Sequence, residues 1–319
     1  DPSGFDKIDS EKVTQTIEAI NVALKDKEVT SAVRQKLSYA KKNWPVALDK
    51  YEKQEKIIGE GRNSYSKTDT DATFMRMKED HMRNGQLKPA YNVQISTNNQ
   101  YIASYSIHQH TTDTGTLISH ISQHIKAYKV KPSALTADAG YGSEQNYQWL
   151  EDRKITAYVK HNQFDRQQSK NIQQKKPYAT DKLVYNEQKD TYLCPSGKTM
   201  KNIGTFAEHN RNGFEQAITR YQTKKCEGCP LQGACNPGNN KRTIKVNHNL
   251  NRLKQQADKR LKSKRGIQKR KQRCYDIEPV FANIKHNHHF KRFMLRGIKK
   301  VAIETGLLAI AHNLRKKIA

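Results

Sequence analysis

Two acidic residues in different local settings constrain the fold of this chain most. Asp138 ends a short apolar run that breaks into glycine turns, in the segment LTADAGYGSE at residues 135–144. Glu278 lies far downstream, at the start of a stretch with the character of a helix. One acid from a strand end and one from a helix can meet at a single metal site, so the sequence predicts an α/β fold built around such a site.

The charge balance indicates what such a site acts on. Lys and Arg number 58 against 31 Asp and Glu, which gives a formal net charge of +27. Much of the surplus falls between residues 241 and 271, and the C-terminus repeats it. This concentration favours a polyanionic partner over a merely solvated basic surface, because each neutralised phosphate releases counterions. We therefore expect a nucleic-acid partner.

Length and hydropathy limit the class of protein. The 319 residues allow two or three structural units, and a hydrophobic content of 34% predicts modest cores. No apolar run approaches the roughly 20 residues of a membrane-spanning helix. The chain begins at Asp1 without a basic and then apolar leader, which resembles a fragment boundary. We expect no signal peptide, no membrane association and a cytoplasmic location.

Hydrophobic periodicity predicts the order of elements in the first half. Apolar residues at helical spacing indicate two helices between residues 8 and 59. Alternation on both sides of Asn98 indicates a β-hairpin over 91–107. A helix over 117–128 and a strand that ends at Asp138 follow. This order of strand, strand, helix and strand is typical of an α/β fold.

The second half divides into a polar segment and a helical one. A helix to about Arg153 and a strand over 155–159 precede residues 162–250, which look polar and irregular apart from short strands. The expected short strands lie at 183–185 and 192–193. From about residue 249 the chain is helical again, and we expect its apolar last helix to bury against the sheet.

Cysteines cluster in the polar segment. Four of the five lie there, at Cys194, Cys226, Cys229 and Cys235. In a reducing compartment this arrangement suits metal binding better than disulfides. A structural Zn²⁺ held by four thiolates and a set of reduced, unmetallated thiols both fit the spacing. Cys274 is expected to serve in packing, and we expect three histidines to lie on the surface: His286, His288 and His289.

Several motifs resemble those of one family. The segments TADAGYGSE (136–144) and IEPVFANIK (277–285) are similar to the second and third acidic motifs of DDE transposases from bacterial insertion sequences. Residues 68–72, 89–94 and 292–297 resemble further parts of the same family. The resemblance implies a ribonuclease H-like core that uses Mg²⁺ or Mn²⁺, DNA ends and target DNA as partners, and movement of a DNA element. It also implies a homodimer in the bacterial cytoplasm, associated with the nucleoid.

The resemblance implies roles for individual residues. Asp138 and Glu278 would be Mg²⁺ ligands, although a turn-capping Asp and an ordinary Glu near a helix N-terminus fit the same positions. Arg273 and Lys285 match a basic signature around the third acid and would contact phosphate, unless they belong to a solvated basic face. The same role extends to two further cations, Arg292 and Arg296.

The resemblance also implies an organisation in four parts. Residues 1–61 would form a helical hairpin within a family insertion, and 62–161 the first part of the ribonuclease H-like core. Residues 162–250 would be an insertion that carries the cysteines. The C-terminal helices, 251–319, would complete the core.

The chain departs from the family at the first acid. That Asp belongs to an IDGT segment on the first core strand, and no such segment is present. Asp71, or its neighbour Asp69, could take this role. Two hypotheses follow: a fragment of an active DNA transposase, and a catalytically inactive, basic DNA-binding remnant of one. A nuclease outside transposition fits the acids but fits the basic C-terminal helices less well.

Overall fold

The structure is a computed structural model that describes residues 10–25, 27, 29–59, 61–77, 84–168, 177–210, 212–237 and 241–318. The expectations about the chain start fall outside these ranges. The chain mixes helix and sheet and forms two compact units, Asp1–Ala90 and Tyr91–Ala319. No described helix combines the length and the apolar character needed to cross a membrane.

The described part of the first unit holds two helices and a two-stranded sheet. These elements are α1 (Ser10–Ala23), α2 (Ser31–Ile58), β1 (Thr73–Arg76) and β2 (Leu87–Ala90). Both helices expected from apolar spacing are present, and the backbone N–H of Ser10 donates to Glu52 Oε1 across them at 3.3 Å. β1 and β2 pair antiparallel.

The second unit begins with strands and helices in the predicted order. These elements are β3 (Asn92–Asn98), β4 (Tyr101–His108), α3 (Leu117–Tyr128), β5 (Ala134–Ala137), α4 (Glu144–Asp152) and β6 (Thr156–Val159). β3 and β4 form the predicted hairpin, and its turn residues Asn99 and Gln100 adopt positive φ. β5 and β6 pair in parallel, which a crossover through α4 makes possible.

A second sheet follows, with five antiparallel strands. The elements of this region are α5 (Phe164–Gln168), β7 (Val184–Asn186), β8 (Thr191–Leu193), β9 (Thr199–His209), β10 (Glu215–Thr223), α6 (Gln232–Cys235) and β11 (Thr243–Val246). The strand order is β11-β10-β9-β8-β7. The two short strands expected from the sequence correspond to β7 and β8.

The expectation that residues 162–250 are otherwise irregular is wrong. β9 and β10 have 11 and 9 residues and are the longest strands in the described chain. Only Met200 of β9 is buried, so this strand lacks the apolar alternation by which strands are found in a sequence. The core of the sheet is correspondingly small and consists of Tyr192, Met200, Tyr221, Ile244 and Val246.

Three helices complete the described chain. These are α7 (His248–Lys262), α8 (Lys264–Ala282) and α9 (Ile298–Ile318), with a π-helical turn at Asn283–Asn287 directly after α8. The largest core joins α3, α4, β6 and α7, and includes Leu117, Ile121, Leu150, Val159, Leu253 and Leu261. A smaller core lies under α8 and α9, with Val280 and Ala309 against Ile102.

Small residues carry the contact between α9 and β4. A Cβ atom on Gly306 would lie 2.5 Å from Tyr105 Oη, and Asn313 bonds both backbone groups of Ile102, at 2.8 and 2.9 Å. The expectation that the large apolar residues of α9 bury against the sheet is therefore wrong for four of them. More than half of each side chain is exposed at Ile303, Leu307, Ile310 and Leu314.

Candidate active site around Asp138

Asp138 lies directly after β5, and both of its carboxylate oxygens are engaged. Oδ1 accepts the backbone N–H of Gly140 at 3.0 Å and so caps the 3₁₀ turn Ala139–Tyr141. Oδ2 lies 3.1 Å from Arg273 Nη2 on α8. The helix that follows is capped by Ser143 instead, because its Oγ accepts the N–H of Asn146. The ion pair thus reaches beyond the capping role and joins the strand end to α8.

Glycine is required in the turn that follows Asp138. A Cβ atom on Gly142 would lie 2.3 Å from the carbonyl oxygen of Lys160 and 2.8 Å from His161 Cα, both at the end of β6. Such distances are far below van der Waals contact, so only a residue without Cβ fits. The turn therefore rests on the backbone at the end of β6, which fixes the direction of Asp138.

A second acid faces the same space, and the sequence did not identify it. A Cβ atom on Gly140 would lie 3.1 Å from Asp138 Oδ1 and 3.2 Å from Asp113 Oδ2. Asp113 begins a 3₁₀ turn after β4, and its Oδ1 accepts from Asn92 Nδ2 at 2.9 Å and Gln94 Nε2 at 3.1 Å. The two carboxylates therefore converge. The segment TDTG at 112–115 is equally typical of a helix N-cap, so the sequence alone does not mark Asp113 as a site residue.

Tyr141 connects the two acids to the hairpin. Its hydroxyl donates to Gln94 Oε1. Burial raises the pKa of Tyr141 above its usual value, and the charges of Asp113 and Asp138 raise it further. The phenol therefore stays protonated at neutral pH and keeps its role as a donor.

Arg273 offers a further polar group to this space. Its Nε is buried and has no hydrogen-bond partner among the described residues. A buried N–H without an acceptor is rare in folded proteins. Beside a carboxylate pair, a guanidinium with a spare donor suits a phosphate oxygen.

Glu278 is on the same helix as Arg273 but faces elsewhere. Five residues separate them, which is about 7.5 Å along an α-helix and about 140° around it. Glu278 is exposed, and the described residues include no hydrogen-bond or ion-pair partner for it. Its proximity to Asp138 stays a prediction. The predicted signature includes both Arg273 and Glu278, whereas the helix directs their side chains to different sides.

The other basic residues of the predicted signature lie further along the chain. Lys285 falls in the π-helical turn, which holds more residues than an α-helical turn. The seven positions from Glu278 to Lys285 therefore do not make two regular α-helical turns. Arg292 and Arg296 are exposed in the loop before α9. Glu304 anchors that loop, because its carboxylate accepts the N–H of Met294 at 2.9 Å. Phosphate contacts by these cations stay predictions.

Asp71 belongs to the first unit. It lies in a turn in which Asp69 Oδ1 accepts the backbone N–H of Asp71 at 3.3 Å. Arg62 ties this turn to the end of α2, since it donates to Thr70 O at 2.9 Å and to Ile58 O at 2.7 Å. The role of Asp71 as the first catalytic acid stays a prediction.

A basic corner lies where α7 meets α8. It consists of four exposed cations: Lys259, Lys262, Lys264 and Arg265. A Cβ atom on Gly266 would lie 1.9 Å from the carbonyl oxygen of Arg260, so the two helices meet at a backbone contact. Arg265 precedes Arg273 by eight residues, about 12 Å of helix. The basic corner and the ion pair of Asp138 therefore involve the same helix, α8.

The four clustered cysteines line one small, partly open cavity of about 10 Å³ at the end of the second sheet. Among the residues that the structure describes, no group of three or more His, Cys, Asp or Glu side chains is arranged to hold a metal ion. Cys274 is exposed, so its expected packing role is wrong. His286 and His289 are exposed, as expected.

Comparison with known protein families identifies the C-terminal part. Residues 193–318 match the family model described as the transposase DDE domain. This region is therefore similar to the DDE domain of transposases. The matched region contains Arg273 and Glu278, whereas Asp113 and Asp138 precede it. No curated protein and no solved structure matches the chain. Transposases act on DNA, which agrees with the net charge of +27.

Proposed function

We propose that this chain forms the catalytic core of a DNA transposase that cleaves DNA strands and transfers them with the help of divalent metal ions. The observation that carries the proposal is the ion pair between Asp138 Oδ2 and Arg273 Nη2, at 3.1 Å. It joins the acid at the end of β5 to α8, a helix of the transposase domain. A second carboxylate, Asp113, faces the same space.

A ribonuclease H-like core is the architecture that we infer for the second unit. A hairpin, a helix and the parallel strands β5 and β6 come in sequence, and α8 contacts β3, β4, β5 and β6. The family resemblance implies one acid at the carboxyl end of a strand and another on a neighbouring helix. Asp138 follows β5, and Glu278 lies on α8. The second sheet is inserted between β6 and the C-terminal helices.

The oxygen ligands that this site offers suit Mg²⁺ or Mn²⁺. Carboxylate oxygens are the preferred ligands of these hard cations, and Asp113 and Asp138 would hold one, with Glu278 as the predicted third acid. When bound, such an ion activates water or a 3′-hydroxyl and stabilises the leaving oxygen at phosphorus. Arg273 balances the charge of Asp138, and its spare Nε donor would bind a phosphate oxygen.

A plasmid-nicking assay tests catalysis. The purified full chain should nick supercoiled DNA in the presence of Mg²⁺ or Mn²⁺, and chelation with EDTA should stop it. Asp138→Asn and Asp113→Asn should both lower the nicking rate strongly, because each removes a charged ligand from the same space. Asp152→Asn is the matched control, since Asp152 is exposed at the end of α4. Unchanged nicking in Asp138→Asn would contradict the proposed role of this acid.

DNA binding without cleavage is the second candidate function. It is favoured by the exposure of Glu278 and by the lack of a three-ligand group among the described residues. A chain that shifts a short random-sequence duplex in a gel but nicks no plasmid with either cation would be such a remnant. That result would overturn the first proposal. Homodimerisation and association with the nucleoid stay predictions.

A further inference from the structure

We propose that Cys194, Cys226, Cys229 and Cys235 bind one Zn²⁺ ion that holds the end of the second sheet together. This site lies apart from the Asp138 site, and the proposal does not rest on the proposed function. It assigns a structural role to the one cavity that all four cysteines line.

The topology of the sheet brings the four thiols to one end. Cys194 begins the connection from β8 to β9, and the other three lie in the connection from β10 to β11. Because β9 separates β8 from β10 in the sheet, these two connections emerge at the same end. Two loops that each supply thiols at one sheet end are the usual source of a four-cysteine site.

Tight backbone turns hold Cys194 and the pair Cys226 and Cys229. The N–H of Lys198 donates to Cys194 Sγ at 3.3 Å, in a turn that Gly197 closes with φ of +78°. The N–H of Cys229 donates to the carbonyl of Cys226 at 3.0 Å, across Gly228 with φ of +73°. Glycine adopts these left-handed angles without strain, so both turns are well formed.

The buried guanidinium of Arg242 indicates that the cavity holds a negative charge. It is 7% exposed and donates through Nη1 to Cys235 Sγ at 2.8 Å. A guanidinium is always charged, and burying it is costly without an anion. Among the described residues, Arg242 forms no ion pair with a carboxylate. Thiolates on a bound Zn²⁺ would supply the missing negative charge, whereas neutral thiols would not.

Soft thiolate ligands select Zn²⁺ over Mg²⁺, so the two metals would occupy different parts of the chain.

Side-chain rotation is needed to complete the site. In the structure Cys194 Sγ lies 3.2 Å from Ser196 Oγ, and Cys226 Sγ lies 3.1 Å from Thr223 Oγ1. The sulfurs therefore bond to hydroxyls and are not yet grouped around one point. Metal binding would exchange these weak bonds for Zn–S bonds of about 2.3 Å in a tetrahedron.

The second sheet has a small apolar core, and a bound metal would stabilise it. Five apolar residues make up its buried core, and β9 is exposed along almost its whole length. Sheets with so little apolar burial commonly depend on a disulfide or a structural metal. A bound Zn²⁺ would supply the missing stabilisation where β8, β9 and β10 meet their connections.

Metal analysis of the purified full chain tests the proposal. After expression with added zinc, atomic emission spectrometry should find about one zinc per chain. Cys229→Ser and Cys226→Ser should lose most of it, and Cys274→Ser should keep it, since Cys274 is exposed on α8. Less than about a tenth of a zinc per wild-type chain, or equal zinc in Cys229→Ser, would overturn the proposal.

A second measurement on the wild-type chain avoids the risk that a variant fails to fold. Stripping zinc with a chelator should expose the four thiols to titration and speed amide hydrogen exchange in β9 and β10. Exchange in α3 and β5 should stay unchanged. Disulfides among the four cysteines in anaerobically purified protein, without zinc, would contradict the site.

Discussion

His120 is a buried imidazole held between two serine hydroxyls. Ser96 Oγ lies 2.7 Å from its Nε2 and Ser106 Oγ lies 2.7 Å from its Nδ1. Burial lowers the pKa of His120 to about 4, with help from the neighbouring His108 and His124. The ring is therefore neutral in the folded protein at neutral pH.

Folding stability should therefore fall on acidification. The pKa of His120 is about 4 when folded and 6.5 when unfolded, so the unfolded chain binds more protons between these values. The stabilisation is complete above pH 6.5 and is lost as the pH falls toward 4. Between pH 7.5 and pH 5 the loss should be about 2 kcal/mol in urea unfolding. His120→Gln should lack this part of the pH dependence.

His209→Gln is the control, because His209 is exposed. A wild-type chain whose stability changed with pH no more than that of His120→Gln would show that the ring is not buried as a neutral group.

At the residue level the sequence identified Asp138 but not Asp113. The glycines after Asp138 indicate a sharp turn. An acidic residue in a turn at the end of a strand is accessible from the edge of the sheet. No such pattern surrounds Asp113, because the segment TDTG at 112–115 is equally typical of a helix N-cap. Only the contact between the turns Asp113–Gly115 and Ala139–Tyr141 brings the second carboxylate to the first, and that contact is a tertiary property.

At the level of elements, the junction of α7 and α8 depends on Gly266. Gly266→Ala should destabilise the protein by about 1 to 3 kcal/mol, because a Cβ atom 1.9 Å from Arg260 O forces the helices apart. Chemical denaturation measures this loss. Gly233→Ala in α6 is the control, since no atom lies within 4 Å of its Cβ position. Equal stability of both variants would show that the junction is not tightly packed.

Elements with an apolar face could be predicted, and those without one could not. The helices of residues 10–58 and the hairpin β3–β4 followed from their periodicity. The sequence does not predict β9 and β10 because Met200 and Tyr221 are the only apolar residues that these two strands bury. On α9 the apolar stripe was found, but Gly306 and Ala309 make the contact, since a close approach to β4 requires small residues.

For the whole molecule, charge should control affinity for DNA. Binding of the full chain to a short duplex should weaken steeply as salt rises. Replacing Lys264 and Arg265 by Gln should lower the slope of log affinity against log salt by about 2, one for each lost phosphate contact. Fluorescence anisotropy across a salt series measures this slope.

A second double variant, which loses the same charge elsewhere, distinguishes direct DNA contact at the basic corner from an effect of net charge. Lys126 and Lys129 lie at the end of α3, and replacing both by Gln removes the same two charges. This variant should keep the wild-type slope if the basic corner is the contact surface. Equal losses in the two double variants would show that binding follows net charge alone.

The backbone contact under Gly142 links distant parts of the molecule mechanically. His161, which follows the contacted Lys160, is buried, and its Nε2 lies 2.9 Å from Asp258 Oδ1 on α7. Asp258 also binds Lys262 of the basic corner, at 3.1 Å. A change in the position of α7 would therefore be transmitted to the main chain beneath Asp138. DNA binding at the basic corner and the orientation of Asp138 would then be coupled.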